Sequence, residues 1–270
     1  MTEPLLRSFL FVPAHRIDRV PKALAAGADA VIVDLEDAVA PADKASAREQ
    51  ARGLEKARVF VRINGPDTEW FGDDLALCSA IAAKGVIVAK AEETSQIEHA
   101  ARAVGPASAI LPLIESARGF ANVDAIARAA QVQRLVFGSI DFQLDLGISG
   151  ERDELLYFRS GLVLASRLAG IQPPLDGVTV EINDAARVSD DALYGKRLGF
   201  GGKLCIHPKQ VEPVNAVYYP SEDEIAWAKR IVAAAEASKG AAVAVDGKMV
   251  DRPVILKAQN ILTESERRAG

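Results

Sequence analysis

The chain has 270 residues, of which 49% are hydrophobic and 26% charged, an ordinary balance for a folded chain that gives disorder no support. Its formal net charge of -5 excludes the basic excess of a general nucleic-acid binder, while leaving room for a local basic pocket. No apolar run approaches the roughly 20 residues that span a bilayer, and the N-terminal run is short and broken by Pro13, unlike a signal peptide.

The first strand reads SFLFVP, Ser8–Pro13, and a helix over 15–26 follows, ended by Gly27. ADAVIVDLED is a second strand with Asp34, Glu36 and Asp37 at its polar end. Pro41 opens the next helix, which continues through ADKASAREQARGL. RVFVRIN is a third strand that stops at the turn Asn64-Gly65-Pro66. A helix over 70–84 leads to GVIVAK, a fourth strand ending at Lys90. Thr94–Val104 is helical and is stopped by Gly105-Pro106. AILPLI is a fifth strand closed by Glu115, and RLVFGSI is a sixth followed by Asp141, with a helix over 119–130 between them. A helix over 153–169 ends at Gly170, DGVTVEIND holds a seventh strand, Ala185–Leu198 is helical, and GGKLCIHP is the eighth strand. Another helix starts near Lys209 and breaks at Pro220-Ser221.

Strict alternation of strand and helix implies a parallel sheet with right-handed crossovers. Eight such units in roughly 200–250 residues fit a closed α/β architecture, the (β/α)8 TIM barrel. An open nucleotide-binding sheet would carry G-x-G-x-x-G after its first strand, whereas AHRIDRV stands there. A Walker A motif is absent too, since Arg197 occupies the place of its first glycine. Residues 1–219 are therefore expected to form the barrel. Residues 220–270 read as a C-terminal helical extension: a helix with a Ser221/Glu224 capping box, a hairpin around Asp246-Gly247 and a last helix. An extra element of this kind is a candidate subunit contact. The two cysteines, Cys78 and Cys205, form no zinc spacing or disulfide framework, which makes a reducing, cytoplasmic compartment the simplest expectation.

In a barrel the residues at the carboxyl ends of the strands meet at one face. Those residues are Asp34, Glu36, Asp37, Arg62, Lys90, Glu115, Asp141, Glu181, Asn183, Asp184 and His207. Glu115 and Asp141 end neighbouring buried runs, and two hard oxygen ligands beside open space suit Mg²⁺; read blandly, they cap helices. Arg62 suits a bidentate clamp on a substrate carboxylate, or a structural pair with Glu36. Lys90 is open to three readings: a Schiff-base lysine, an anion-binding residue, or a partner of Glu92. His207, before Pro208, reads as a structural hydrogen-bonder.

RSFLFVP, DAVIVDLEDAVAPADKASAR, VRIN, IESARG, GSIDFQLDLG, LGFGGKLCIHPKQ and DGKMVDRPVILKAQNIL together resemble the citrate lyase β-subunit-like group of the HpcH/HpaI aldolase and acyl-CoA lyase superfamily. The resemblance implies a TIM barrel with Mg²⁺ and retro-Claisen cleavage of an acyl-CoA thioester, citryl-CoA giving acetyl-CoA and oxaloacetate being the type reaction. Glu115 and Asp141 then match the metal ligands, Arg62 the clamp on the oxoacid and Glu36 an acid near the metal waters. Asp251, otherwise a helix cap, matches an aspartate that serves the adjacent protomer, which implies a homo-oligomer, a trimer or a dimer of trimers (hexamer). The chain departs from the pattern at Ala14 and Ile140, where relatives often carry glycine and glutamate. Two rival functions stay open: a metal-dependent aldolase on non-thioester hydroxy-oxo acids, and a non-catalytic oxoacid-binding subunit.

Overall fold

The protein is described by a computed structural model over residues 5–54, 59–237 and 243–269. Arg58, Ser238, Ala241 and Ala242, which the readings above included in elements, lie outside the described residues. Eight strands, β1 (Ser8–Pro13), β2 (Ala30–Asp34), β3 (Val59–Ile63), β4 (Gly85–Val88), β5 (Ala109–Ile114), β6 (Arg134–Phe137), β7 (Gln172–Asp176) and β8 (Gly202–Cys205), pair in chain order and all in parallel. β8 returns to β1 through Phe9↔Leu204 and closes the (β/α)8 TIM barrel. The connecting helices are α1 (Val20–Ala25), α2 (Lys44–Ala51), α3 (Phe71–Ala80), α4 (Thr94–Val104), α5 (Ala117–Ala121), α6 (Val123–Ala127), α7 (Ser139–Leu146), α8 (Leu156–Ala169), α9 (Ala185–Leu198) and α10 (Val211–Tyr218).

Alternation along the strands decides what fills the barrel. Ile32, Phe60, Leu111, Leu113, Val136 and Leu204 belong to one buried interior cluster. Continuing the same parity brings Asp34, Arg62, Glu115 and Gly138 inward at the carboxyl end. At the opposite end it brings in Arg134, whose Nε donates to Pro173 O at 2.9 Å and whose Nη1 donates to Leu6 O at 2.8 Å. Its guanidinium lies over the Phe9 ring.

The structure departs from the sequence reading in several places. The helix expected over 15–26 is a 3-10 segment, Ala14–Arg19, non-helical at Arg16, followed by the short α1. The seventh strand is QPPLD, not DGVTVEIND. Two prolines hide it, because proline cannot donate to a ladder; β6 and β7 pair only at Arg134↔Gln172 and Val136↔Leu175, with a register shift between. The alternating GVTVE is loop. Its polar groups are satisfied by side chains, Thr179 Oγ1 donating to Asp191 and Gln210 Nε2 donating to the carbonyls of Thr179 and Glu181. Glu181, Asn183 and Asp184 are therefore not strand-end residues. The sixth strand stops at Phe137, so Asp141 sits in the first turn of α7. The expected helix over 119–130 begins earlier and divides at Asn122 into α5 and α6.

The chain divides into two compact units, Leu6–Asn215 and a second one from Ala216 onward. In the second, α11 (Glu222–Ala237) packs on α12 (Arg252–Ala269) around Ala228, Ile231, Val250 and Ala258. The hairpin of β9 (Val243–Val245) and β10 (Lys248–Val250) turns at Asp246 and Gly247, with φ of 51° and 72°. Two successive positive φ values mark a turn whose twist suits a hairpin. The Ser221/Glu224 capping box is reciprocal, at 2.9 and 3.1 Å. Among the described residues no helix is long and apolar enough to cross a membrane.

Barrel closure depends on Gly202. A Cβ there would overlap the Arg7 carbonyl oxygen and come within 2.9 Å of the Leu175 side chain. That carbonyl is itself pinned by the Lys203 N–H at 2.8 Å. Gly202→Ala is expected to destabilise the fold by about 1–3 kcal/mol, as overpacking typically does. Urea unfolding checks this, and a variant of unchanged stability would show that the β1–β8 seam yields.

Candidate active site

A cavity of about 430 Å³ opens at the carboxyl end of the barrel. Its charged lining is Asp34, Asp37, Arg62, Glu115 and Asp141, and Phe11, Leu113, Phe137, Ile140, Val178 and Ile206 supply apolar wall.

Asp34 and Arg62 are register partners on β2 and β3. Both point inward, so they meet: Arg62 Nε and Nη2 each donate to one Asp34 oxygen at 2.7 Å. The same oxygens accept the N–H groups of Glu36 and Ala38 and so shape the turn after β2. Arg62 Nη1 lies 3.0 Å from Glu36 Oε2 and 3.4 Å from Asp37 Oδ2, and its guanidinium rests over Phe11. Burial would lower its pKa, but Asp34, Glu36 and Asp37 outweigh burial and raise it, so Arg62 is a permanent cation.

Glu36 is buried, which raises its pKa above the usual carboxyl range against the pull of Arg62 and Lys90. Its Oε1 accepts from Lys90 Nζ at 2.9 Å, while Oε2 makes no aligned hydrogen bond. Behind it the buried Lys44 donates to the carbonyls of Leu35 and Glu36, both at 2.8 Å, and packs against Trp70.

Lys90 has φ of 50°, a left-handed conformation that side chains rarely adopt. The conformation lets one residue serve two acids. Its backbone N–H donates to Glu115 Oε1 at 2.7 Å while its Nζ reaches Glu36. Burial lowers the Lys90 pKa, but the hydrogen bond to Glu36 and the charges of Glu36, Glu115 and Asp37 prevail and raise it. A lysine held charged is a poor Schiff-base nucleophile.

Glu115 is 4% exposed. Its carboxylate fits only because residue 138 is glycine, since a Cβ there would lie 2.6 Å from Glu115 Oε2. Burial, Glu36 and Asp141 push its pKa up to about 8. Asp141 reaches the cavity from the first turn of α7. One turn further on, Asp145 Oδ2 accepts from Ala117 N at 2.7 Å and ties α7 to the turn that carries Glu115.

A neighbouring cavity of about 620 Å³ shares Phe11, Pro13 and Ile206 with the first and carries Arg16, Arg19 and Lys22. His207 lines it and accepts from Lys209 N through Nδ1, a capping role. The fold thus brings Glu36, Arg62, Lys90, Glu115 and Asp141 to one rim. Asp251 lies in the C-terminal unit, where its Oδ1 accepts from Val254 N at 3.3 Å and caps α12. Sequence reasoning placed Asp34 at the rim but gave it no role; the shared inward parity of Asp34 and Arg62 was the available signal. Lys44 and Asp145 left no such signal, because their partners are backbone groups.

Residues 7–208 match the family model described as HpcH/HpaI aldolase/citrate lyase. The chain is 36% identical to a citrate lyase subunit beta-like protein of Deinococcus radiodurans, over 96% of this chain and 97% of that one. It is also 36% identical to a (3S)-malyl-CoA thioesterase of Cereibacter sphaeroides, over 96% and 94%. Among solved structures, the protein CitE from Mycobacterium tuberculosis, in complex with magnesium, acetoacetate and coenzyme A, superposes with a TM-score of 0.86 at 35% identity, covering 98% of each chain.

The raised pKa of Glu115 has a signed consequence for stability. Its folded value of about 8 exceeds the ordinary 4.5, so between them the folded state binds more protons than the unfolded one. The stabilisation is full below the lower value and is lost as pH rises towards the upper one. In the metal-free protein, stability relative to Glu115→Gln should fall across that window by at most about 1.4 kcal/mol per pH unit. Parallel pH dependences of the two proteins in urea unfolding would contradict it.

Proposed function

The chain belongs to the HpcH/HpaI aldolase/citrate lyase family, and on that premise we propose a Mg²⁺-dependent carbon–carbon lyase that cleaves, or forms, a citryl-CoA-like 3-hydroxy-3-carboxyacyl thioester. The products of cleavage are an acyl-CoA and a 2-oxoacid, acetyl-CoA and oxaloacetate in the type reaction. The observation that carries the reading is the convergence of Glu115 and Asp141 on a cavity where four carboxylates face one cation.

That donor set fits the metal. Among the described residues no three His, Cys, Asp or Glu side chains form a full cage, and Mg²⁺ characteristically takes one or two carboxylates and keeps water or substrate oxygens. Burial raises Glu115 most, and the repulsion from Glu36 and Asp141 that adds to it is the kind a divalent cation relieves. Glu115 and Asp141 would hold Mg²⁺, which would supply Lewis-acidic charge for the oxoacid.

The chain's own residues do the rest. Arg62, immobilised by Asp34, orients the substrate carboxylate. Lys90, paired with Glu36 at 2.9 Å, fixes the Glu36 carboxylate at the rim. Glu36, buried and with Oε2 lacking an aligned hydrogen bond, receives the hydroxyl proton. The carbon–carbon electron pair passes to the acyl-CoA enolate, the oxoacid carbonyl forms, and a proton delivered to the enolate carbon completes an exchange that consumes no water. The neighbouring cavity, where Arg16 is paired with Asp18 but Arg19 and Lys22 add net positive charge, suits the phosphates of coenzyme A and favours a thioester over a free hydroxy-oxo acid. Asp251, supplied by a neighbouring copy in a homo-oligomer, a trimer or a dimer of trimers, is the proposed proton donor.

Purified protein given citryl-, citramalyl- and malyl-CoA should release acyl-CoA and oxoacid in equal amounts, stop with EDTA and recover with Mg²⁺. Arg62→Lys, which keeps charge but not the bidentate pair, should lower kcat/KM by about 10²-fold. Release of free coenzyme A thiol without an oxoacid would instead make the protein a thioesterase.

Asp251→Asn should lose roughly 10²–10⁴ in rate with Mg²⁺ affinity unchanged. Mixed with Glu115→Ala subunits it should regain part of the activity. Mixed oligomers that recover nothing, with Asp251→Asn losing only stability, would reduce Asp251 to the cap of α12.

A further inference from the structure

We propose that the oxoacid half of the substrate is a monocarboxylate with a short apolar side chain, of the pyruvate or 2-oxobutyrate class, and that Ile140 sets this preference. The inference rests on the lyase reading above and narrows its oxoacid.

The first observation is the sign of the charges. The cavity lining holds Asp34, Asp37, Glu115 and Asp141 against the single cation Arg62. Arg62 is already engaged on both edges: Nε and Nη2 bind Asp34, and Nη1 lies 3.0 Å from Glu36 and 3.4 Å from Asp37. Lys90 is paired with Glu36 and does not line the cavity. The carboxylate next to the oxo group has a place beside the metal ligands and Arg62. With Glu115 and Asp141 committed to the metal and Arg62 to Asp34, the lining has no free cation left, and a second carboxylate, as in oxaloacetate, would be desolvated without a partner. Arg16, Arg19 and Lys22 line the neighbouring cavity instead, with Phe11, Pro13 and Ile206 common to both.

The second observation is what stands where a cation is missing. Ile140, Val178 and Ile206 line the same cavity. Ile140 is 45% exposed and Ile206 39%, large aliphatic side chains left facing solvent at the rim. Ile140 directly precedes Asp141 on α7, so it adjoins the place where the oxoacid would be held. An aliphatic wall gains from covering a methyl or ethyl group and offers a carboxylate nothing. A methylene in such a pocket discriminates by roughly 10–200-fold.

The test measures binding without turnover. The full chain with Mg²⁺ is titrated with pyruvate, 2-oxobutyrate, glyoxylate and oxaloacetate and followed by NMR, which also reports any decarboxylation of oxaloacetate. Pyruvate and 2-oxobutyrate should bind at least tenfold more tightly than oxaloacetate. Ile140→Lys should reverse the order, and Ile140→Leu should keep it and serve as the folding control. Oxaloacetate binding as tightly as pyruvate in the wild type overturns the proposal, and so does an unchanged ratio in Ile140→Lys. Preference for oxaloacetate with intact thioester cleavage defeats this inference alone, whereas no binding of any oxoacid defeats the lyase reading as well.

Discussion

The ion pair between Asp34 and Arg62 fixes the upper layer of the barrel. Its geometry follows from the sheet: the two residues are register partners on adjacent strands, and the parity that buries Ile32 and Phe60 turns both inward. Removing Arg62 would leave the buried Asp34 without a cation, which costs roughly 3–5 kcal/mol. The remaining acids are arranged around this pair. Asp34 accepts the Glu36 and Ala38 N–H groups and so folds the turn that brings Glu36 and Asp37 against Arg62. Lys44 holds that turn from behind through the Leu35 and Glu36 carbonyls.

Lys90 extends the arrangement to the next acid. Its backbone adopts a left-handed conformation that would ordinarily fall to glycine. The strain is repaid locally, because a glycine could supply the N–H to Glu115 but not the ammonium to Glu36. Even so, burial first and neighbouring acids second keep the pKa values of Glu36 and Glu115 raised. Carboxylates kept buried and underneutralised at strand ends are unfavourable for folding alone. That arrangement is how an active site differs from a core.

Much of this was legible in the sequence, for identifiable reasons. Ser8–Pro13, Thr94–Val104 and Ala185–Leu198 match their expected limits because apolar pattern and boundary signals agree there. Glu115 and Arg62 were legible as rim residues because each ends an unbroken strand run. β7 was not, because Pro173 and Pro174 suppress the strand signal while GVTVE imitates one. Asp141 was placed at the correct rim but on the wrong element, since Gly138 and Ser139 start a helix inside what reads as one apolar run. The bidentate partner of Arg62 was missed because the polar end of β2 offers three acids, and only parity separates the inward Asp34 from the others.

The misread region also explains how the barrel divides its work. From β1 to β5 the strands share four or five register pairs at each junction. From β5 through β8 each junction has only two. Side chains replace the missing ladder: Arg159 pairs with Asp176 at 3.0 Å, Lys203 donates to the Gly177 carbonyl at 2.7 Å, and Gln210 holds the loop after β7. Asp34, Arg62 and Glu36 stand on the long-laddered side, and Ile140, Val178 and Ile206 stand on the short-laddered side, where Asp141 is the one charged lining residue and its helix is anchored by Asp145. The partition follows from how the two kinds of contact depend on distance and direction. Charge-assisted hydrogen bonds weaken steeply with small misalignment and need rigid supports. Apolar contact is non-directional and tolerates changes of side chain and loop path. A barrel built this way keeps its charged chemistry fixed while the opposite wall is free to differ, and it is on that wall that the choice of oxoacid would be made.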